Sequence, residues 1–258
     1  MNAYIELSIA AFLPIVAAVI LYLLDRETAF GKWKNDWGKQ IIYGIIFGIL
    51  AIAGTEWGIS LNGAQANCRD AAVLTAGLFF GAPAGVIAGV IGGVERWFSV
   101  LWGVGTFTRV ACTISTILAG ICAALLRKYM FEDKKPGVFL SLATGVVIEV
   151  FHLTMVFITN MATPAEAMAA VRACAVPMIV ANSASVMLVA LALVILGRDC
   201  GPGRASNQAR ISQTIQRWLL LVVALAFFAT SYFVFRLQDK IAVTQEDTLL
   251  ALALDETA

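Results

Sequence analysis

Charge is what this sequence has least of. Only 14% of its 258 residues are Asp, Glu, Lys or Arg, against 60% that are hydrophobic, and a soluble domain of this size needs far more charge to cover its surface. The chain therefore reads as an integral membrane protein. Histidine is nearly missing: His152 stands alone, which argues against catalysis or metal binding built on histidine clusters. The five cysteines (Cys68, Cys112, Cys122, Cys174 and Cys200) include no CxxC pair, so a zinc centre or disulfide framework is not expected and they read as small packing residues. A net charge of +1 gives no reason to expect a nucleic-acid partner. No P-loop, nucleophile elbow, HExxH or kinase signature is present, so neither an enzyme nor a cofactor or metal is expected within these residues.

What is there in quantity is long apolar runs. They fall at 7–24, 41–60, 106–126, 137–159, 174–196 and 217–235, each near the ~20 residues that cross a bilayer. The first lacks a basic leader and a cleavage site, so it is read as a retained span. Three linkers hold most of the basic charge: Arg26, Lys32, Lys34 and Lys39; Arg127, Lys128, Lys134 and Lys135; Arg198, Arg204, Arg210 and Arg217. By the positive-inside rule all three face the cytoplasm, which places the N-terminus outside.

That assignment leaves the stretch from 71 to 94 no room for a single crossing, because the chain on both sides of it must be outside. The segment 66–98 is expected to be a re-entrant broken helix pair, with the Gly81-Ala-Pro-Ala-Gly85 core as its break, since Pro83 removes a backbone donor and clashes with the preceding turn. The expected class is an all-α polytopic membrane protein of about six full transmembrane helices plus this pair. Gly77, Gly81, Gly85, Gly89 and Gly93 recur at four-residue spacing and form a ridge that lets helices approach closely. Packing alone would also account for them.

Arg69 and Arg96 flank this apolar stretch 27 residues apart. If the pair folds as a hairpin, both guanidinium groups lie at one mouth, beside freed backbone donors, and suit a small carboxylate. The alternative pairs each with a neighbour such as Asp70 or Glu95. Arg109, Cys112 and Ser115 follow early in the next span, the last two on one helical face. Their thiol and hydroxyl could meet a ligand oxygen or simply the preceding turn of backbone. Glu149 and His152, three apart near the middle of a span, share a face as a polar pair, in a structural or a coupling role. Asn182 and Ser183 form a similar polar insertion after Pro177, which is expected to end or kink its helix.

Residues 1–198 resemble the five-transmembrane receptor domain of the LytS type, found in bacterial sensor histidine kinases. The resemblance is carried by Asn67-x-Arg69, the glycine run ending at Arg96, Cys112-x-x-Ser115, Glu149 and the "PMIVANS" run at 177–183. It implies a receptor in the bacterial cytoplasmic membrane that binds a small carboxylate from outside, pyruvate being the family's best-known ligand. Arg69 and Arg96 would hold the carboxylate, with Cys112 and Ser115 as polar contacts and Asn67 and Arg109 nearby. The chain departs from the family in Phe80 and a displaced Pro83, and in a longer, more aromatic linker from Arg96 to Cys112. These bear on ligand identity more than on ligand class.

Beyond the receptor domain, a cytoplasmic linker is expected at 199–216, a further span at 217–236 and the start of an extracytoplasmic segment at 237–258, with a kinase or phosphatase output domain elsewhere in a longer protein. A homodimer suits a signalling receptor, although no heptad pattern demonstrates one. The alternative function is a transporter or substrate-binding membrane subunit for a small organic anion, since broken helices also serve transporters, but no second glycine ladder marks an internal repeat.

Overall fold

The computed structural model describes residues 3–27, 36–61 and 64–197. The linker 199–216, the span 217–236 and the segment 237–258 expected from the sequence lie outside the described residues.

Among the described residues seven α-helices carry the fold: α1 (Ala3–Glu27), α2 (Asp36–Glu56), α3 (Arg69–Thr75), α4 (Ala82–Phe98), α5 (Arg109–Leu125), α6 (Val138–Thr159) and α7 (Pro164–Ile195). A short antiparallel ribbon, β1 (Ile59–Leu61) and β2 (Ala64–Ala66), joins α2 to α3 and pairs Ile59 with Ala66. Six helices among the described residues are long and apolar enough to cross a membrane. Five are the runs read from the sequence; the sixth is α4 with the turn that follows it. The outward faces are apolar, with Phe12, Ile49, Phe139 and Val180 exposed, while Arg69, Asp70, Glu149, His152 and Asn182 are fully buried. Such an inversion suits a hydrocarbon solvent, and the chain is a multi-pass membrane protein.

Between α2 and α5 the chain folds as a helical hairpin. Its first arm is α3, continued by one π-helical turn over Ala76–Phe80; its second is α4. The twelve residues from 69 to 80 rise only about 18 Å, too little to cross by themselves. The arms are antiparallel: a Cβ on Gly85 would meet Gly77 backbone, and a Cβ on Gly92 would lie 3.5 Å from the Arg69 side chain. The ladder glycines beyond the turn pack against α5, where Gly89 faces Thr116 and Gly120. On the other side, α2 offers Gly44 and Gly48 to Ile87 and Ile91.

The break lies at Gly81 and not at Pro83. Gly81 has φ 153°, a backbone that favours glycine, and a side chain there would run into Gln40. Pro83 occupies the first turn of α4, where its missing N–H costs nothing and its fixed φ suits a helix start. Pro177 likewise does not end its helix, because α7 runs through it from Pro164 to Ile195.

The hairpin tip reaches the end of the bundle that carries the basic linkers. Gln40 Nε2, near the start of α2, donates to Phe80 O at 3.0 Å, and Arg127, just past α5, donates to Leu78 O at 2.8 Å. These side chains satisfy carbonyls that a broken helix leaves open. At the same end Lys39 pairs with Asp25 at 3.2 Å, joining α1 to α2.

Candidate functional site

At the opposite end, the start of the hairpin is fixed by two asparagines. Asn67 Oδ1 accepts from the Arg69 amide at 3.3 Å, and Asn182 Oδ1, on α7, accepts from the Ala71 amide at 2.8 Å. Two of the orphan donors of α3 are thereby satisfied. Asn182 also donates to Asn67 O at 3.0 Å, so α7 grips both sides of the α3 terminus. The polar insertion in α7 acts here as a helix cap.

Capping aims Arg69 into the bundle. Its Nε donates to Thr116 Oγ1 on α5 at 2.7 Å and its Nη1 to Thr55 Oγ1 on α2 at 2.9 Å, while Nη2 is buried without a partner. Thr116 in turn donates to Asp70 Oδ1 at 2.8 Å. The direct contact between Arg69 and Asp70 is looser, 3.9 Å. Asp70 Oδ2 meets His152 Nδ1 at 2.6 Å, and His152 Nε2 lies 3.2 Å from Cys112 Sγ. Thr116 stands seven residues into α5, so this polar layer lies about 10 Å below the end of that helix.

Glu149 lies one helical turn from His152 but does not bond to it. Neither of its carboxyl oxygens has a hydrogen-bond partner, although the residue has no solvent exposure. The Ser115 hydroxyl, 1% exposed, is also without a partner, so it does not return to the preceding turn of its own helix. A buried polar group in this condition costs about 1–3 kcal/mol, and it marks a place where something other than the surrounding fold is served.

Arg96 is buried at the far end of α4. It donates to Ser99 Oγ at 2.9 Å, Gly105 O at 2.5 Å and Thr108 Oγ1 at 3.3 Å, gathering the linker 99–108 around its head. Arg69 opens the first arm of the hairpin and Arg96 stands near the end of the second, so both lie at the same end of it. The mouth beside them is covered by the ribbon, through Gln65 Nε2 to Thr55 O at 2.7 Å, and by the linker, through Trp102 Nε1 to Glu56 Oε1 at 2.8 Å. Beneath, a void of about 10 Å³ borders Thr108, Cys112 and His152, room for about one water.

The structure thus brings Arg69, Cys112, Glu149 and His152 into one buried layer, with Ser115 on the same helix and Arg96 at its edge. Asn67 and Asn182 build the terminus behind it. Arg109 lies apart: its Nε donates to Trp97 O at 2.8 Å and its guanidinium stacks 4.0 Å over the Trp97 ring. Sequence reasoning missed Thr55 and Thr116, because a threonine in a membrane helix reads as bonded to its own backbone. The alternative that pairs Arg69 with Asp70 meets a loose contact of 3.9 Å, while the tight contacts of Asp70 are to Thr116 and His152.

A family model described as "5TMR of 5TMR-LYT" matches residues 26–195. The chain belongs to this LytS-type receptor family. It is 31% identical to sensor histidine kinase BtsS of Escherichia coli over 147 residues, which cover 56% of this chain and 25% of BtsS. Sensor histidine kinase YpdA of E. coli is 39% identical over 75 residues, covering 29% of this chain and 13% of YpdA. Sensor protein LytS of Bacillus cereus is 29% identical over 151 residues, or 57% of this chain and 24% of LytS. The chain matches about a quarter of the length of BtsS and LytS, and no solved structure matches it. In this LytS-type chain the matched span holds all the buried polar residues described above.

Proposed function

We infer that this LytS-type domain is the sensor module of a bacterial signal-transduction protein and receives a small carboxylate at the hairpin mouth, on the extracytoplasmic side. The observation that carries the reading is the pair of unused donors in the buried layer, Arg69 Nη2 and Ser115 Oγ, with a second guanidinium, Arg96, beside them. A carboxylate has two oxygens that accept from such groups, and a guanidinium fork matches them in geometry and charge. Kinship with the sensor kinases supports the signalling role. The basic linkers support the orientation, since they put the hairpin tip in the cytoplasm and the mouth outside.

The void at the mouth is far smaller than any carboxylate, so binding requires opening. Arg96 is the natural latch. Its bonds to the linker go to two carbonyls, of Val104 and Gly105, and two hydroxyls, and an anion is a stronger acceptor than any of these. A ligand that draws Arg96 away would release the 99–108 linker and shift the hairpin, whose tip is tied to α2 and α5 at the other membrane face. It acts only through its differential affinity for the two arrangements.

The test is a calorimetric and thermal-shift titration of the detergent-purified protein with pyruvate, lactate and related carboxylates, repeated on Arg69→Ala and Arg96→Ala. Saturable stabilisation lost in both variants is expected. No response to any carboxylate, with both variants as stable as the parent, would sink the reading.

A further inference from the structure

Glu149 needs a partner that the protein around it does not supply. It lies in α6, shut off from solvent, with neither carboxyl oxygen hydrogen-bonded. Beside it stands a second buried carboxyl, Asp70, together with His152. One donor atom from each of the three lies within 4.8 Å of the others. Two carboxylates this close in a low-dielectric interior repel each other unless a proton or a cation stands between them.

We propose that Asp70, Glu149 and His152 are the protein ligands of a divalent transition-metal ion, such as Zn²⁺ or Mn²⁺, held between the hairpin and α6. Two carboxylate oxygens and one imidazole nitrogen suit such ions better than they suit Mg²⁺ or Ca²⁺, which prefer oxygen alone. Ligands about 2.1 Å from one ion stand roughly 3.4 Å apart in a tetrahedral arrangement. At its widest, within 4.8 Å, the triad therefore closes by up to about 1.4 Å, while the 2.6 Å contact between His152 Nδ1 and Asp70 Oδ2 opens.

The surroundings are ordered as outer partners of such an ion. Thr116 holds Asp70 Oδ1 at 2.8 Å and leaves Oδ2 to face His152. With Nδ1 on the ion, His152 Nε2 carries the proton and donates to the Cys112 sulfur 3.2 Å away, which fixes the tautomer and the ring plane as ligating histidines require. Arg69 does not compete for the position. Its approach to Asp70, at 3.9 Å, is to Oδ1, and its Nε and Nη1 are already committed to threonine hydroxyls. The proposal stands whether or not a carboxylate binds at the mouth.

The full chain in detergent, stripped with EDTA, is titrated calorimetrically with Mn²⁺ and with Zn²⁺, and the Mn²⁺ form is examined by pulsed electron paramagnetic resonance. Expected are one saturable equivalent per chain, a raised unfolding temperature on loading, and ¹⁴N coupling from one imidazole. Glu149→Gln should weaken binding at least tenfold, and His152→Gln should also remove the nitrogen coupling. Glu149 makes no hydrogen bond to the protein, so Glu149→Gln tests the site even if His152→Gln fails to fold. Matching unfolding temperatures of parent and Glu149→Gln in EDTA separate a lost ligand from a lost fold. No saturable binding, or affinity that Glu149→Gln leaves within twofold, overturns the proposal.

Discussion

Thr116 joins two charged side chains with one hydroxyl, accepting from Arg69 and donating to Asp70. Valine keeps its shape and removes both bonds. Thr116→Val is expected to lower stability by about 1–3 kcal/mol, the cost of leaving buried donors and acceptors unmet, and to free Arg69 to turn toward Asp70. Thermal unfolding in detergent measures it. Thr154→Val is the control, because that hydroxyl bonds only to the Val150 carbonyl of its own helix, and it should fall within about 0.5 kcal/mol of the parent. At this scale the sequence identified side chains better than pairings. Arg69, Cys112, Glu149 and His152 stood out as polar groups in apolar surroundings, yet Asp70 and His152 are 82 positions apart and no spacing rule connects them. The expected Glu149–His152 pair followed from helical periodicity, which gives a shared face but cannot say that His152 turns to Asp70 and Cys112 while Glu149 makes no hydrogen bond.

The hairpin was legible because two independent signals agreed on it: the parity of the basic linkers, and a glycine-proline break in an apolar stretch. Its finer geometry was not. Proline was credited with the break, but a proline tolerated in a first helical turn lets glycine at positive φ take the corner. The π turn over 76–80 and the two three-residue strands are too short for any local propensity to announce them. Gly81→Ala is expected to cost about 1–3 kcal/mol from backbone strain alone, with the crowding of Gln40 added. Gly137→Ala should be nearly neutral, since Gly137 has an ordinary φ of −71° and nothing lies within 4 Å of its added carbon. Chemical or thermal unfolding of the two variants side by side checks the contrast.

Among the described residues, five of the apolar runs located spans, because in hydrocarbon a helix must satisfy its own backbone whatever else it does. The largest discrepancy is α7, which begins ten residues before its apolar run. Its 32 residues reach about 48 Å, longer than the ~30 Å hydrocarbon core, so hydropathy saw only the immersed part. The orientation is testable at this scale. In a background lacking Cys122 and Cys200, Met161→Cys, 74% exposed between α6 and α7, should react with a membrane-impermeant maleimide on intact cells. Tyr129→Cys, 69% exposed beside Arg127 and Lys128, should react only after permeabilisation. The opposite pattern would invert the topology.

The Trp102 indole that clasps Glu56 across the mouth makes the molecule its own optical indicator. Trp57, Trp97 and Trp102 all sit at that rim, 40%, 40% and 54% exposed, well apart from Trp37 at the basic end. If the linker lifts when the latch is drawn, the 2.8 Å bond from Trp102 to Glu56 must break, and the emission of an unlabelled sample should shift. Trp102→Phe would silence most of that change while leaving the buried layer untouched, so opening of the mouth could be timed by stopped flow without attaching a dye.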